Sequence, residues 1–151
     1  MTNAAKSLKG ACKVFLQDLQ ALPEEAFDKS FGPKTRTVAD IVFEVNLVND
    51  HACLVIQGEV PFTWPDEGWI KAPEDLRTKE VVIASFEKAS GQAMSIAESL
   101  SQEQIEEGIQ EDGHETTRES KIRFMALHLW YHSGQLNFIQ TLLGDDGWNW
   151  K

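Results

Sequence analysis

Apolar residues recur every third or fourth position along four long stretches of the chain, the period of a helix with one face in a core. The first stretch runs from about Asn3 to Leu22, with Leu8, Cys12, Phe15, Leu16 and Leu19 on its stripe and Pro23 ending it. The second opens on Thr37 as N-cap with Asp40 three residues on, carries Ile41, Val45, Val48, Ala52 and Val55, and stops at Gly58. The third spans about Thr78 to Leu100 and bears Val82, Phe86, Ala89, Ala93, Ile96 and Leu100. The last starts at Thr116, whose Glu119 makes a capping box, and runs to Leu143 before Gly144. No run alternates apolar and polar residues between hairpin turns, so no strand is expected. The pattern predicts an all-α fold, a four-helix bundle formed by residues 1–151 as one domain.

The connections add topology. Gly58 to Arg77 has no helical period and contains Pro61, Trp64, Pro65, Gly68, Trp69 and Pro73. Its tryptophans are expected to pack onto the bundle, because large rings are costly to leave in water. A connection of this length is able to run the whole height of a bundle, which makes helices two and three parallel. The expected order is up-down-down-up, with a long crossover between helices two and three and with helices two and four antiparallel. The acidic run Glu103 to Asp112 reads as a solvated face, and His114 as an exposed residue.

The last helix carries the chemistry. Its apolar stripe reads Met125, Leu129, Leu136, Ile139 and Leu142, and His128, His132 and Gln135 fall on the same side at spacings of four and three. Two imidazoles one turn apart converge on one point, a common way to give a divalent cation two of its ligands. Trp130 and Tyr131 face away from this point and are expected to pack between helices. Helix two offers a third ligand in Glu44 or His51, both awkward to bury without a compensating contact. The two lie about 10 Å apart along the helix axis, too far to serve one mononuclear site together. A three-ligand site leaves a position open for water or substrate, as catalytic sites do. No catalytic residue beyond these ligands is legible.

Composition narrows the partners. The 24 Asp and Glu residues against 14 Lys and Arg give a formal charge of −10, which repels phosphate backbones and argues against nucleic acid. No apolar run approaches the length of a membrane span, and the first ten residues have no signal-peptide core, so a cytoplasmic protein without membrane contact is expected. Cys12 and Cys53 fall in apolar helical patterns and read as buried free thiols.

The run His128-x-x-Tyr131-His132-x-Gly134-Gln135-Leu136, followed by Leu142-Leu143-Gly144, resembles the last-helix signature of the DinB-like (damage-inducible) superfamily. The segment Thr37-Val-Ala-Asp-Ile-Val is similar to the helix-two opening of the same family. The resemblance implies an up-down-down-up bundle with a metal bound by the histidine pair and one helix-two residue. Counted from Thr37, the family's helix-two histidine falls at Glu44, so this chain departs from the pattern by offering a carboxylate, an acceptable ligand for zinc, nickel or manganese, of which zinc or nickel is expected. The resemblance also implies a small-molecule substrate, a low-molecular-weight thiol as co-substrate in S-transfer or isomerisation, and a homodimer. Gln135, on the histidine face, is expected either to support a ligand from behind or to contact substrate or cofactor. The alternative is a non-catalytic bundle whose site is vestigial or binds metal for a structural or stress-response role.

Overall fold

α1 covers Asn3–Ala21, and its start is set by Thr2, whose hydroxyl accepts from the Ala5 amide at 3.2 Å. Leu22 and Pro23 leave the helix in extended conformation and lead into a 3-10 turn at Glu24–Ala26. α2 covers Val38–Gln57, with the Thr37 hydroxyl accepting from the Asp40 amide at 3.1 Å. Gly58 closes it at φ 77°, a left-handed turn that lets the amides of Gly58 and Glu59 reach the Val55 and Leu54 carbonyls. α3 covers Lys79–Ser99, a short α4 covers Gln102–Glu106, strands β1 (Gly108–Glu111) and β2 (His114–Thr117) form a hairpin, and α5 covers Arg118–Leu142. This computed structural model describes residues 1–65 and 69–151, so the Gly68 of the irregular connection lies outside the described residues.

Side chains that cap the end of one helix from the start of another fix the helix directions. Lys79 Nζ donates to the Gln20 and Leu22 carbonyls at 2.9 and 2.5 Å, bringing the start of α3 to the end of α1. Arg118 Nε donates to the Ile56 carbonyl at 2.9 Å, bringing the start of α5 to the end of α2. The α2–α3 connection returns the full height of the bundle: the Ala72 amide and Arg77 Nη2 both donate to Asp40 in the first turn of α2, at 2.8 and 3.1 Å. α2 and α3 are therefore parallel, with Asn46 Nδ2 donating to Ser85 Oγ at 3.1 Å halfway up. The order is up-down-down-up, as the connection lengths predict.

The core fills the space between the four long helices. Phe15 and Phe86 meet there with ring centroids 4.9 Å apart, surrounded by Leu8, Leu19, Val45, Met125 and Leu129, all buried. Asp18 of α1 is also buried and accepts from Ser133 Oγ of α5 and from Trp150 Nε1, the latter at 2.8 Å. Burial raises its pKa, and these donors oppose that rise. Among the described residues no helix is long and apolar enough to cross a membrane.

The structure corrects the sequence reading between Ser101 and Thr117. The acidic run faces solvent at Glu103, Glu106, Glu107 and Asp112 as expected, but part of it is helical: α4 is opened by a Ser101–Gln104 capping box and anchored by the fully buried Ile105. β1 and β2 then pair antiparallel, Gly108 opposite Thr117 and Glu111 opposite His114. Asp112 and Gly113 turn the chain at φ 49° and 80°, the two positive values that a tight hairpin turn needs. The Asp-Gly pair signals this turn; the strands flanking it are too short and polar to show alternation. The hairpin also shifts the N-cap of α5 to Thr117, whose hydroxyl accepts from the Ser120 amide at 3.1 Å. Trp130 and Tyr131, expected to pack between helices, are exposed, and so is Leu142 of the expected core stripe.

Candidate metal centre

The antiparallel seam of α2 and α5 brings three of the expected side chains together. The Ile56–Arg118 contact sets the axial level, from which His128 lies ten residues along α5 and Glu44 twelve residues back along α2. At roughly 1.5 Å per residue the two stand at nearly the same height. His51 lies five residues from that level and falls short of it. One ligating atom each from Glu44, His128 and His132 lies within 4.8 Å of the others, and this is the one such group of His, Cys, Asp and Glu among the described residues.

The donor separations suit a metal. His128 Nε2 and His132 Nε2 are 3.0 Å apart, and Glu44 Oε1 is 3.7 Å from each. Ligand bonds of ~2.05 Å at tetrahedral angles separate neighbouring donors by ~3.4 Å, which the observed values bracket. Three such ligands leave one tetrahedral position open.

Protonation favours ligation as well. Burial above all, with the nearby Arg36 charge adding to it, pushes His128 and His132 down to about 4. Both rings are thus neutral at pH 7, so their approaches to Glu44 are not ion pairs. Gln135 Oε1 accepts from His132 Nδ1 at 2.8 Å, which leaves the His132 lone pair on Nε2, facing the site. His128 Nε2 then supplies the proton shared between the rings, while its buried Nδ1 has no partner among the described residues.

Arg36, just before α2, is a site residue that the sequence reading missed. Its guanidinium bonds Glu44 Oε2, leaving Oε1 for the histidines, and it lies 6.0 Å from the Trp69 ring. Its place outside any periodic segment left no pattern to mark it. Gln135 lies beside the site, with its Oε1 on His132 Nδ1.

His51 is placed elsewhere, in a cluster of its own. Its ring stacks on Trp64 at 5.3 Å with Phe62 at its edge, and Nδ1 is 4.0 Å from Glu111 Oε1. Glu111 also accepts from Lys121 at 2.5 Å, a contact that depends on the hairpin. Cys12 and Cys53 are free, and burial pushes their thiols up to about 12 and about 11, so neither is a ready nucleophile.

Two cavities flank the three ligands. One of about 390 Å³ is lined by Arg36, Ile41, Trp69, Tyr131, Gln135 and Phe138 among others. The other, about 310 Å³, lies between Glu44, Val48, Trp64 and Trp69. A third cavity of about 280 Å³, between α2 and α3 near Asn46 and Ser85, is remote from the histidines.

Comparison with solved structures shows the same fold. A conserved protein from Enterococcus faecalis superimposes with a TM-score of 0.71 at 16% identity, covering 96% of this chain and 99% of that one. A DinB-like protein from Bacillus cereus gives 0.71 at 14% identity, covering 93% and 91%. YfiT from Bacillus subtilis, described as a probable metal-dependent hydrolase with an unusual four-helix bundle topology, gives 0.71 at 15% identity, covering 96% and 91%. A search of curated proteins returns no significant match. The model of the DinB superfamily matches residues 7–136, a span that takes in all three converged side chains, and the chain belongs to that superfamily.

Proposed function

We propose that this protein is a metal-dependent enzyme in which Glu44, His128 and His132 hold a divalent cation, zinc or nickel, with one position open to a small-molecule substrate. The observation that carries the reading is the set of 3.0 and 3.7 Å donor separations between two neutral imidazoles and a carboxylate oxygen. A cation there supplies Lewis acidity and lowers the pKa of a water or low-molecular-weight thiol in its open position. Around it the chain's own groups do the rest. Arg36 orients the Glu44 carboxylate, Gln135 fixes the tautomer of His132, and Trp64 and Trp69 wall the approach. With Cys53 buried, Cys12 half-buried and both thiols pushed well above neutral pH, any reacting thiol comes from solution. The reaction class is attack of water or of such a thiol on an electrophilic carbon. Hydrolysis agrees with the description of YfiT, and S-transfer or isomerisation with the DinB resemblance.

One observation favours a second, non-catalytic reading. Arg36 already compensates Glu44, so the site is electrically satisfied without a metal. Turnover separates the two. Metal-stripped protein is reloaded with zinc or nickel and assayed on activated esters and alkylating electrophiles, with and without a panel of small thiols. The enzyme reading expects a metal-dependent rate that His132→Ala abolishes. Equal rates with and without metal, for water and for every thiol, would leave the non-catalytic reading standing.

A further inference from the structure

The cavity between α2 and α3 has a polar end whose groups the fold leaves unpaired. It follows the seam of the two parallel helices, from Ala39 and Leu76 at one end to Asp50 and Gln92 at the other. Val42, Phe43, Leu76 and Val82 make its first half apolar, and Asn46, Ser85, Asp50 and Lys88 make its second half polar. This side of α2 is not the side that serves the metal centre. Phe43, Asn46, Leu47 and Asp50 share one face at spacings of three and four, and Glu44 stands roughly 100° round the helix from Phe43.

Packing of the two helices accounts for the apolar half but not for the polar one. Ser85 Oγ gives its proton to the Val82 carbonyl at 2.8 Å, so towards Asn46 it acts only as acceptor, taking a bond from Nδ2 at 3.1 Å. That fixes the orientation of the amide and leaves Asn46 Oδ1 buried without a partner. One turn along α2, the half-buried Asp50 has neither a hydrogen bond nor an ion pair among the described residues, and burial raises its pKa. Lys88 lines the same cavity and its charge opposes that rise, yet the two groups do not close an ion pair. A carboxylate and an ammonium are thus held apart in one cleft, with an unused acceptor one turn from the carboxylate. Each loses hydration there and gains no partner in return.

We propose that this cavity binds a small apolar α-amino acid, with its ammonium on Asp50 and Asn46 Oδ1, its carboxylate on Lys88 and its side chain in the apolar half. Asn46 and Asp50 are four residues apart on a helix, so their oxygens converge on one ammonium, which has three protons to give. The opposed charges select a zwitterion. An amine without a carboxylate meets the repulsion of Lys88 unrelieved, and an acid without an amine meets that of Asp50. The volume of about 280 Å³ suits a ligand of this size and excludes a nucleotide. The cleft shares no lining residue with the three metal ligands, so its occupancy does not depend on the reading of that centre.

Calorimetric titration of the chelator-treated full chain tests this, with L-leucine, L-methionine and L-phenylalanine as probes, each beside its decarboxylated amine and its deaminated acid. At least one amino acid should bind one-to-one with Kd of about 1 mM or tighter. Its amine and its acid should each bind at least about 10-fold more weakly. Asp50→Asn and Lys88→Gln should each cause a loss of at least about 10-fold with an unchanged circular dichroism spectrum. His132→Ala should leave binding as it is. If none of the three amino acids binds at about 10 mM, the inference is overturned. It is also overturned by an amine or an acid that binds as tightly as its amino acid, or by binding that survives Asp50→Asn and Lys88→Gln.

Discussion

The displaced titration of His128 and His132 has a measurable consequence for metal affinity. The perturbation is acidification from pH 7 to pH 5. An imidazole must be neutral to ligate, so protons compete with metal below the pKa of the metal-free ring. Two ordinary histidines with pKa near 6.5 would lose about 600-fold in affinity over that interval. With both rings held down at about 4 by burial and by Arg36, fewer than one ring in ten is protonated at pH 5. The expected loss through these rings is then less than about 2-fold. The same displacement sets the acid stability of the metal-free protein, with a definite sign. Between about pH 6.5 and 4 the unfolded chain binds protons that the folded chain refuses, so stability falls as pH drops through that window. At pH 5 the cost is up to about 2 kcal/mol for the deeply buried His132, and less for the more solvent-accessible His128. Competition titration of zinc in a non-coordinating buffer at pH 7, 6 and 5 reads the affinity, and urea melts with chelator read the stability. A 100-fold weakening by pH 5, with no acid destabilisation relative to a His128→Ala/His132→Ala variant, would refute the reasoning.

Other expectations follow from single contacts. Glu44→Ala should weaken zinc binding by at least about 100-fold, while His51→Ala, outside the converged group, should leave it within about 3-fold; calorimetry on both variants checks this ordering. Phe15→Ala removes a fully buried ring that packs on Phe86 and should cost about 3–5 kcal/mol in urea unfolding. Gly113→Ala forces an L side chain to φ 80° in the hairpin turn and should cost about 1 kcal/mol, read as a lowered melting temperature.

Much of the architecture is legible because helical period and end signals agree at each long helix. Thr37 and Gly58 bound α2 in sequence and in structure, and Pro23 does the same for the end of α1. The crossover follows from connection length, and Asp40, Ala72 and Arg77 supply the contacts that pin it. The histidine pair is legible because a spacing of four residues on a helix fixes direction without tertiary knowledge. The third ligand is harder, since choosing between Glu44 and His51 requires the axial offset of α2 against α5. That offset comes from how α2 and α5 pack, marked by the Arg118 bond to the Ile56 carbonyl, and that packing has no sequence signature. The hairpin escapes for a different reason: its strands are four residues each, mostly polar, so only the Asp-Gly turn betrays them. The exposed apolar residues Phe124, Leu127, Tyr131 and Phe138 of α5 are not marked in advance, because a helix apolar on both sides blurs the periodicity of one face.

The claim that Glu44, His128 and His132 form one metal site is tested most directly by zinc K-edge X-ray absorption of protein loaded with one equivalent of metal. The site requires two imidazoles with nitrogen at about 2.0–2.1 Å, oxygen in the remaining positions, and no sulfur shell near 2.3 Å. A sulfur shell, or a spectrum with a single imidazole, would contradict it.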